Sequence, residues 1–96
     1  MGNSQSRPAA DIGHREPRFT VTVDGVQAHL DYRREDGRMT ITHTIVPDEI
    51  GGRGIAGRLT RAAFEHARTQ GWKVRPACSY AAAWAERHPE FADVLD

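Results

Sequence analysis

The chain has 96 residues and a mass of 10.7 kDa, which limits it to one domain with a modest core. Thirteen Lys and Arg balance thirteen Asp and Glu, which excludes bulk electrostatic capture of nucleic acid or an anionic membrane. One cysteine excludes a disulfide framework or a multi-cysteine metal site, and no apolar run approaches the ~20 residues that a bilayer crossing needs. These limits point to a small soluble protein of a reducing compartment, most simply the cytoplasm.

Residues 1–17 are polar, carry two prolines and two glycines, and follow neither a helical nor a strand period, so they read as a flexible N-terminal arm. Order is expected from Arg18, giving a single domain over 18–96. Phe19, Val21 and Val23 alternate with Thr20, Thr22 and Asp24, the period-two pattern of a half-buried strand. Asp24-Gly25 fits a tight hairpin. A second strand follows in the alternation of Val26, Ala28, Leu30 and Tyr32. After a turn at Arg34–Gly37, Met39, Ile41, His43 and Ile45 alternate with threonines in a third strand that stops at Pro47.

The period then changes. From Gly54 the apolar residues Ile55, Leu59, Ala62, Ala63 and Ala67 fall at helical spacing, with Arg58, Arg61, Glu65 and Arg68 on the opposite side. Gly71 suits a C-terminal cap. Trp72–Cys78 forms a short fourth strand, Ser79 can cap a short helix over Tyr80–Arg87, and Pro89–Leu95 reads as a last helical turn. The fold class is therefore α+β: an antiparallel meander, then a helix, a short strand and a C-terminal helix.

Between the third strand and the helix lies a loop with four glycines, Gly51, Gly52, Gly54 and Gly57, within seven residues. Each glycine costs backbone entropy, so four exceed what a turn requires. A loop that opens a helix aims unpaired N–H groups and the positive end of the helix dipole at one point, where pyrophosphate binds well. Arg53 and Arg58 could contribute from the rim. Gly52–Gly57 also matches the dinucleotide pattern G-x-G-x-x-G, but antiparallel strands precede it and no acid stands about twenty residues on. A Walker loop is excluded because no Gly-Lys-Ser/Thr follows.

The order of elements, with His43-Thr44-Ile45-Val46-Pro47, Gly52-Arg53-Gly54-Ile55-Ala56 and Pro76-Ala77-Cys78-Ser79-Tyr80, resembles the GNAT superfamily of acyl-CoA N-acyltransferases. Within it, these segments resemble the minimal single-domain branch, and the resemblance runs from Arg18 to the C-terminus. It implies an acetyl-CoA-dependent N-acetyltransferase acting on an unidentified amine. The backbone of Thr44, Ile45 and Val46 would meet the pantetheine arm. The N–H groups of Gly52, Arg53, Gly54, Ile55, Ala56 and Gly57 would hold the pyrophosphate, and the acetyl thioester would lie where the third and fourth strands splay apart. In the family the loop usually begins with Gln or Arg; here that position is Gly51, which removes one side-chain contact.

Three residues are candidates for the chemistry. Cys78 stands at the start of the last helix, where the positive helix end favours a thiolate, although a free cysteine is more often a buried hydrophobe. The resemblance places it beside the acetyl group. His43 lies on the third strand, facing Met39, Ile41 and Ile45 if that strand is regular, while a bulge would turn it to the other face. An ammonium acceptor must lose a proton before attacking a thioester, and imidazole is suited to that work. Tyr80 would protonate the departing coenzyme by analogy with the family, or would pack on the last helix with Trp84. The five histidines lack metal-ligand spacing, so no metal is expected. The links between the early strands are only turns, so no acceptor wall is built there. An alternative follows: a coenzyme A-binding module with little or no catalysis.

Overall fold

The computed structural model describes residues 12–96. Five strands form one sheet in sequential order: β1 (Gly13–Arg15), β2 (Arg18–Val23), β3 (Val26–Glu35), β4 (Arg38–Ile45) and β5 (Lys73–Pro76). The first four pair antiparallel, and β5 joins β4 in parallel. Helix α1 (Ile55–Gln70) carries the chain from β4 to β5, a dozen-residue crossover being what a parallel neighbour requires. Helix α2 (Ser79–Glu86) and a 3-10 turn over Pro89–Val94 complete the fold. The α+β meander read from the sequence is thus present, with one strand more than expected.

The β2–β3 and β3–β4 hairpins both use two-residue turns whose residues all have positive φ: Asp24 and Gly25 at 52° and 77°, Asp36 and Gly37 at 49° and 74°. This is the twist-matched turn that Asp-Gly favours. Alternation then sends Phe19, Val21, Ala28, Leu30, Tyr32, Met39 and Ile41 to one face of the sheet, all nearly or wholly buried. Against them α1 lays Ile55, Leu59, Ala63, Phe64 and Ala67. Trp84 of α2 and Phe91 of the last turn join the same cluster, with ring centroids 5.1 Å and 5.6 Å from that of Phe64. Burying each such side chain contributes about 1.5–3 kcal/mol, so this one-sided layer holds the domain together.

Gly71 caps α1 as expected, at φ 78° with its N–H donating to Ala67 and Arg68 carbonyls. Three expectations are corrected. Order does not start at Arg18: β1 pairs with β2 through Gly13–Arg15, so only residues 1–11 of the expected arm lie outside the described residues. Its anchor is His14, whose ring stacks on Phe19 at 4.0 Å and whose Nε2 lies 2.6 Å from the Tyr32 hydroxyl. The cap of α2 is Cys78 rather than Ser79, its sulfur accepting the Ala81 N–H at 3.4 Å. Finally, the alternation of β4 breaks after Ile41, with a consequence for His43 described below.

Candidate active site

The β3–β4 ladder runs Tyr32↔Ile41 and then Asp31↔His43, leaving Thr42 unpaired as a bulge. One extra residue flips every side chain beyond it. His43 and Ile45, which regular alternation would bury beside Ile41, therefore face outward, and Thr44 turns inward opposite Leu30. The exposure of Ile45 (48%) is the direct result.

On its other side β4 pairs with β5 only as far as Ile41↔Pro76. The N–H groups of Ala77 and Cys78 both donate to the Ile41 carbonyl, at 3.0 and 3.1 Å, and the two strands part there. Residues Thr42–Ile45 consequently form one wall of a wedge, and Cys78 stands at its apex. Thr44 Oγ1 lies 3.5 Å from Cys78 Sγ across it. The sulfur is held by this hydroxyl and by the first turn of α2, in a half-buried position.

Below the wedge the chain turns at Val46-Pro47 into a 3-10 turn over Asp48–Ile50. Ile50, 1% exposed, pins this turn into the core, an anchor that sequence reasoning missed because it stands alone between polar residues. Gly51 follows with ordinary extended backbone, whereas Gly52 and Gly54 sit at φ 76° and 73°. Nothing lies within 4 Å of where a Cβ would stand on either, so the loop surface is open at both. Gly54 is the N-cap of α1 and offers no side chain to its first turn. The first intrahelical bond belongs to the Arg58 N–H, donating to Gly54 O at 3.1 Å, so the N–H groups of Ile55, Ala56 and Gly57 have no partner within the helix. A phosphate-bearing group fits such a cradle: N–H groups without a helical partner, the positive helix end, and no side chain in the way at Gly52 and Gly54.

Gly57 differs from the other loop glycines. A Cβ there would meet the Tyr80 hydroxyl at 3.4 Å and Trp84 Nε1 at 3.6 Å, so its bareness serves the packing of α2 on α1. Tyr80 therefore lies over the first turn of α1, together with Trp84. Arg53 leans away from the loop to Asp24 in the β2–β3 turn, with Nη1 2.7 Å from Oδ2. Among the candidates, then, the fold brings together Cys78 and Thr44, and sets Tyr80 against the helix that the loop opens. His43 it places on the other face of β4, exposed, with Nδ1 3.2 Å from Thr42 Oγ1; a direct Cys78–His43 pair is not made. Among the described residues no group of His, Cys, Asp and Glu could hold a metal ion, and no helix is long and apolar enough to cross a membrane.

A splayed β4–β5 pair, with a glycine-rich loop entering the intervening helix, is the architecture of an N-acyltransferase fold. Residues 18–94 match the model of the GCN5-related N-acetyltransferase family, and the chain belongs to that family. It is 33% identical over 78 residues to the human Protein NATD1, an alignment that takes in 78% of this chain and 69% of NATD1. The NMR solution structure of a GCN5-like putative N-acetyltransferase from Staphylococcus aureus superposes with a TM-score of 0.75 at 31% identity, covering 94% of this chain and 91% of that one. Family and fold together make the chain an acyltransferase.

Proposed function

We propose that this acyltransferase moves an acetyl group from acetyl-CoA to the nitrogen of an amine, in a reducing, cytoplasmic setting that accords with its free thiol. The observation that carries this reading is the alignment of two features on one path. The loop Gly51–Gly57 presents open N–H donors at the start of α1, and Thr44 and Cys78 meet where β4 leaves β5. Bound acetyl-CoA would supply an activated thioester carbonyl. The backbone of Gly52–Ala56 would hold its pyrophosphate, and that of Thr44–Val46 its pantetheine arm, where β4 has no β5 partner.

The amine must arrive uncharged, because an ammonium has no lone pair for attack. His43 is our candidate for taking that proton. Its position on the outward face means that the proton leaves on the side of the sheet opposite Cys78. As the new C–N bond forms and the C–S bond breaks, the departing sulfur takes up a proton. Tyr80, over the first turn of α1, is the candidate donor. A second reading is supported by the two-residue turns that join β2 to β3 and β3 to β4, which leave the acceptor side unwalled: a coenzyme-binding module with little turnover.

Acetyl-CoA titration separates the readings. Binding to the folded state at about 100 times Kd adds about 2.7 kcal/mol of stability, and amide shifts should concentrate at Gly52–Ala56. No thermal stabilisation and no shifts at millimolar acetyl-CoA would refute coenzyme binding altogether. Stabilisation with coenzyme thiol release at background across an amine panel would favour the module.

A further inference from the structure

All helices lie on one side of the sheet, with their apolar residues in a single cluster with the inward strand positions. Among the described residues nothing covers the other side. Its cross-strand rows follow from the register. One runs Arg15–Arg18–Asp31–His43, the next Arg33–Thr40–Arg75, and a third Glu35–Arg38–Lys73. A chain whose formal charge is zero thus presents a sheet face on which Arg15, Arg18, Arg33, Arg38 and Arg75 outnumber Asp31, Glu35 and Asp96, while Lys73 donates to the Asp93 carbonyl of the last turn.

Two of these acids are already engaged. Asp31 takes both Arg18 Nε, at 2.6 Å, and Nη2, at 3.2 Å, and Asp96 takes Arg38 at 2.7 Å and Arg75 at 3.5 Å. Arg15 stands directly opposite Arg18, a like-charge pairing that costs stability in a sheet. Among the described residues no acid pairs with Arg15 or Arg33. Asp31 offsets the charge of Arg18, while Arg15 has no acid of its own among the described residues.

We propose that this outward face is the docking surface for an acidic protein segment that carries the acceptor amine. Carboxylates suit it, because arginine forks bind them in bidentate fashion and no acid among the described residues takes the forks of Arg15 and Arg33. Single-stranded nucleic acid suits it less well: the outward strand positions carry no Phe, Tyr or Trp on which bases could stack. The location ties docking to chemistry. The row that begins at Arg15 ends at His43, and the adjacent Thr44 reaches Cys78 through the wedge. A segment lying across these rows would bring a lysine to the open side of the β4–β5 gap. Naming the segment as acceptor rests on the acetyltransfer reading; its binding does not.

The test uses the full chain, isotopically labelled, without coenzyme. The probe is a short peptide with one lysine flanked by glutamates, alongside a peptide with arginines in the glutamate positions. Amide shifts confined to the outward rows of β1 to β5, produced by the acidic peptide alone and weakened by salt, support the proposal. The double variant Arg15→Glu/Arg33→Glu, at two exposed sites, should weaken that binding by about tenfold or more while leaving stabilisation by acetyl-CoA unchanged. Equal response to both peptides, shifts elsewhere, or unaltered binding by the variant would overturn it, as would tighter binding of an oligo-dT strand at the same rows. Failure of acetyl-CoA to stabilise the chain would instead refute the acetyltransfer reading, and the peptide result would still decide the docking face.

Discussion

The two sides of the sheet are built on opposite plans. From β1 to β3 the strands pair without a break in register, and inward alternation runs from Phe19 to Tyr32. From β4 to β5 the pairing stops halfway, the alternation reverses at Thr42, and beyond Ile41 the backbone of β4, still paired with β3, has no neighbour on its β5 side. The first plan maximises burial. The second gives up ladder bonds and a core position, and leaves the open strand edge on which the proposed coenzyme arm would lie. Core and proposed site are therefore segregated along β4 itself: Met39 and Ile41 belong to the core, and Thr44 to the proposed site.

The largest expected effect tests that division within one strand. Ile41→Ala removes a wholly buried side chain and should cost about 2–5 kcal/mol. Ile45→Ala, four residues along the same strand but exposed, should change stability by no more than about 0.5 kcal/mol. Denaturant melts of the two variants check this. Similar losses would mean that the bulge does not turn Ile45 outward, and the wedge as described would be wrong.

A smaller effect sharpens the role of Cys78, which has a structural and a chemical part. Cys78→Ala removes the acceptor for the Ala81 N–H and should destabilise by about 1 kcal/mol, the usual cost of a lost helix cap. Cys78→Ser restores an acceptor at the same position and should match or exceed the wild type in stability. If the thiol itself faces the reacting group, acetyl transfer should fall in both variants alike. Activity that recovers with the cap in Cys78→Ser would reduce the residue to a structural part.

Much of the closed side is legible in the sequence, because each of its features is local. Alternation identifies β2 and β3, Asp-Gly dipeptides mark both hairpins, and the helical period of Ile55–Ala67 with Gly71 bounds α1. The open side is legible in composition but not in geometry. The glycines announce an exposed loop, yet Gly57 is bare for the sake of Tyr80 and Trp84. Nothing in Thr-Ile-Thr-His-Thr-Ile distinguishes a bulge from a regular strand, since alternation continues through it and only the pairing with β3 decides the register. Ser79 has the better capping side chain; Cys78 holds the position because the strand ends there, with its N–H bound to Ile41. β1 carries no signal for a similar reason, being three residues held by tertiary contacts of His14 rather than by a pattern of its own.

The smallest effect lies at that closed edge and sets a pH limit on it. Burial, and then the neighbouring His66, lower the pKa of His14 below its ordinary 6.5, while Glu16 works in the other direction. His66 contacts it edge-on at 4.5 Å, and the Tyr32 hydroxyl, itself shifted upward by burial, lies against Nε2. A base depressed in the folded state binds protons more readily when unfolded. Stability is therefore full above about pH 6.5 and falls as the pH drops toward the folded value. The ring is largely solvent-exposed, so screening holds this contribution below about 1 kcal/mol. His14→Phe keeps an aromatic ring against Phe19 and removes the titration, so its melting temperature should fall less than the wild type's between neutral and mildly acidic pH. Because the wedge contains none of these groups, acetyl-CoA stabilisation measured at neutral pH should be the same in both proteins. A variant that lost coenzyme stabilisation would show that the closed side supports the open one more directly than their separate construction implies.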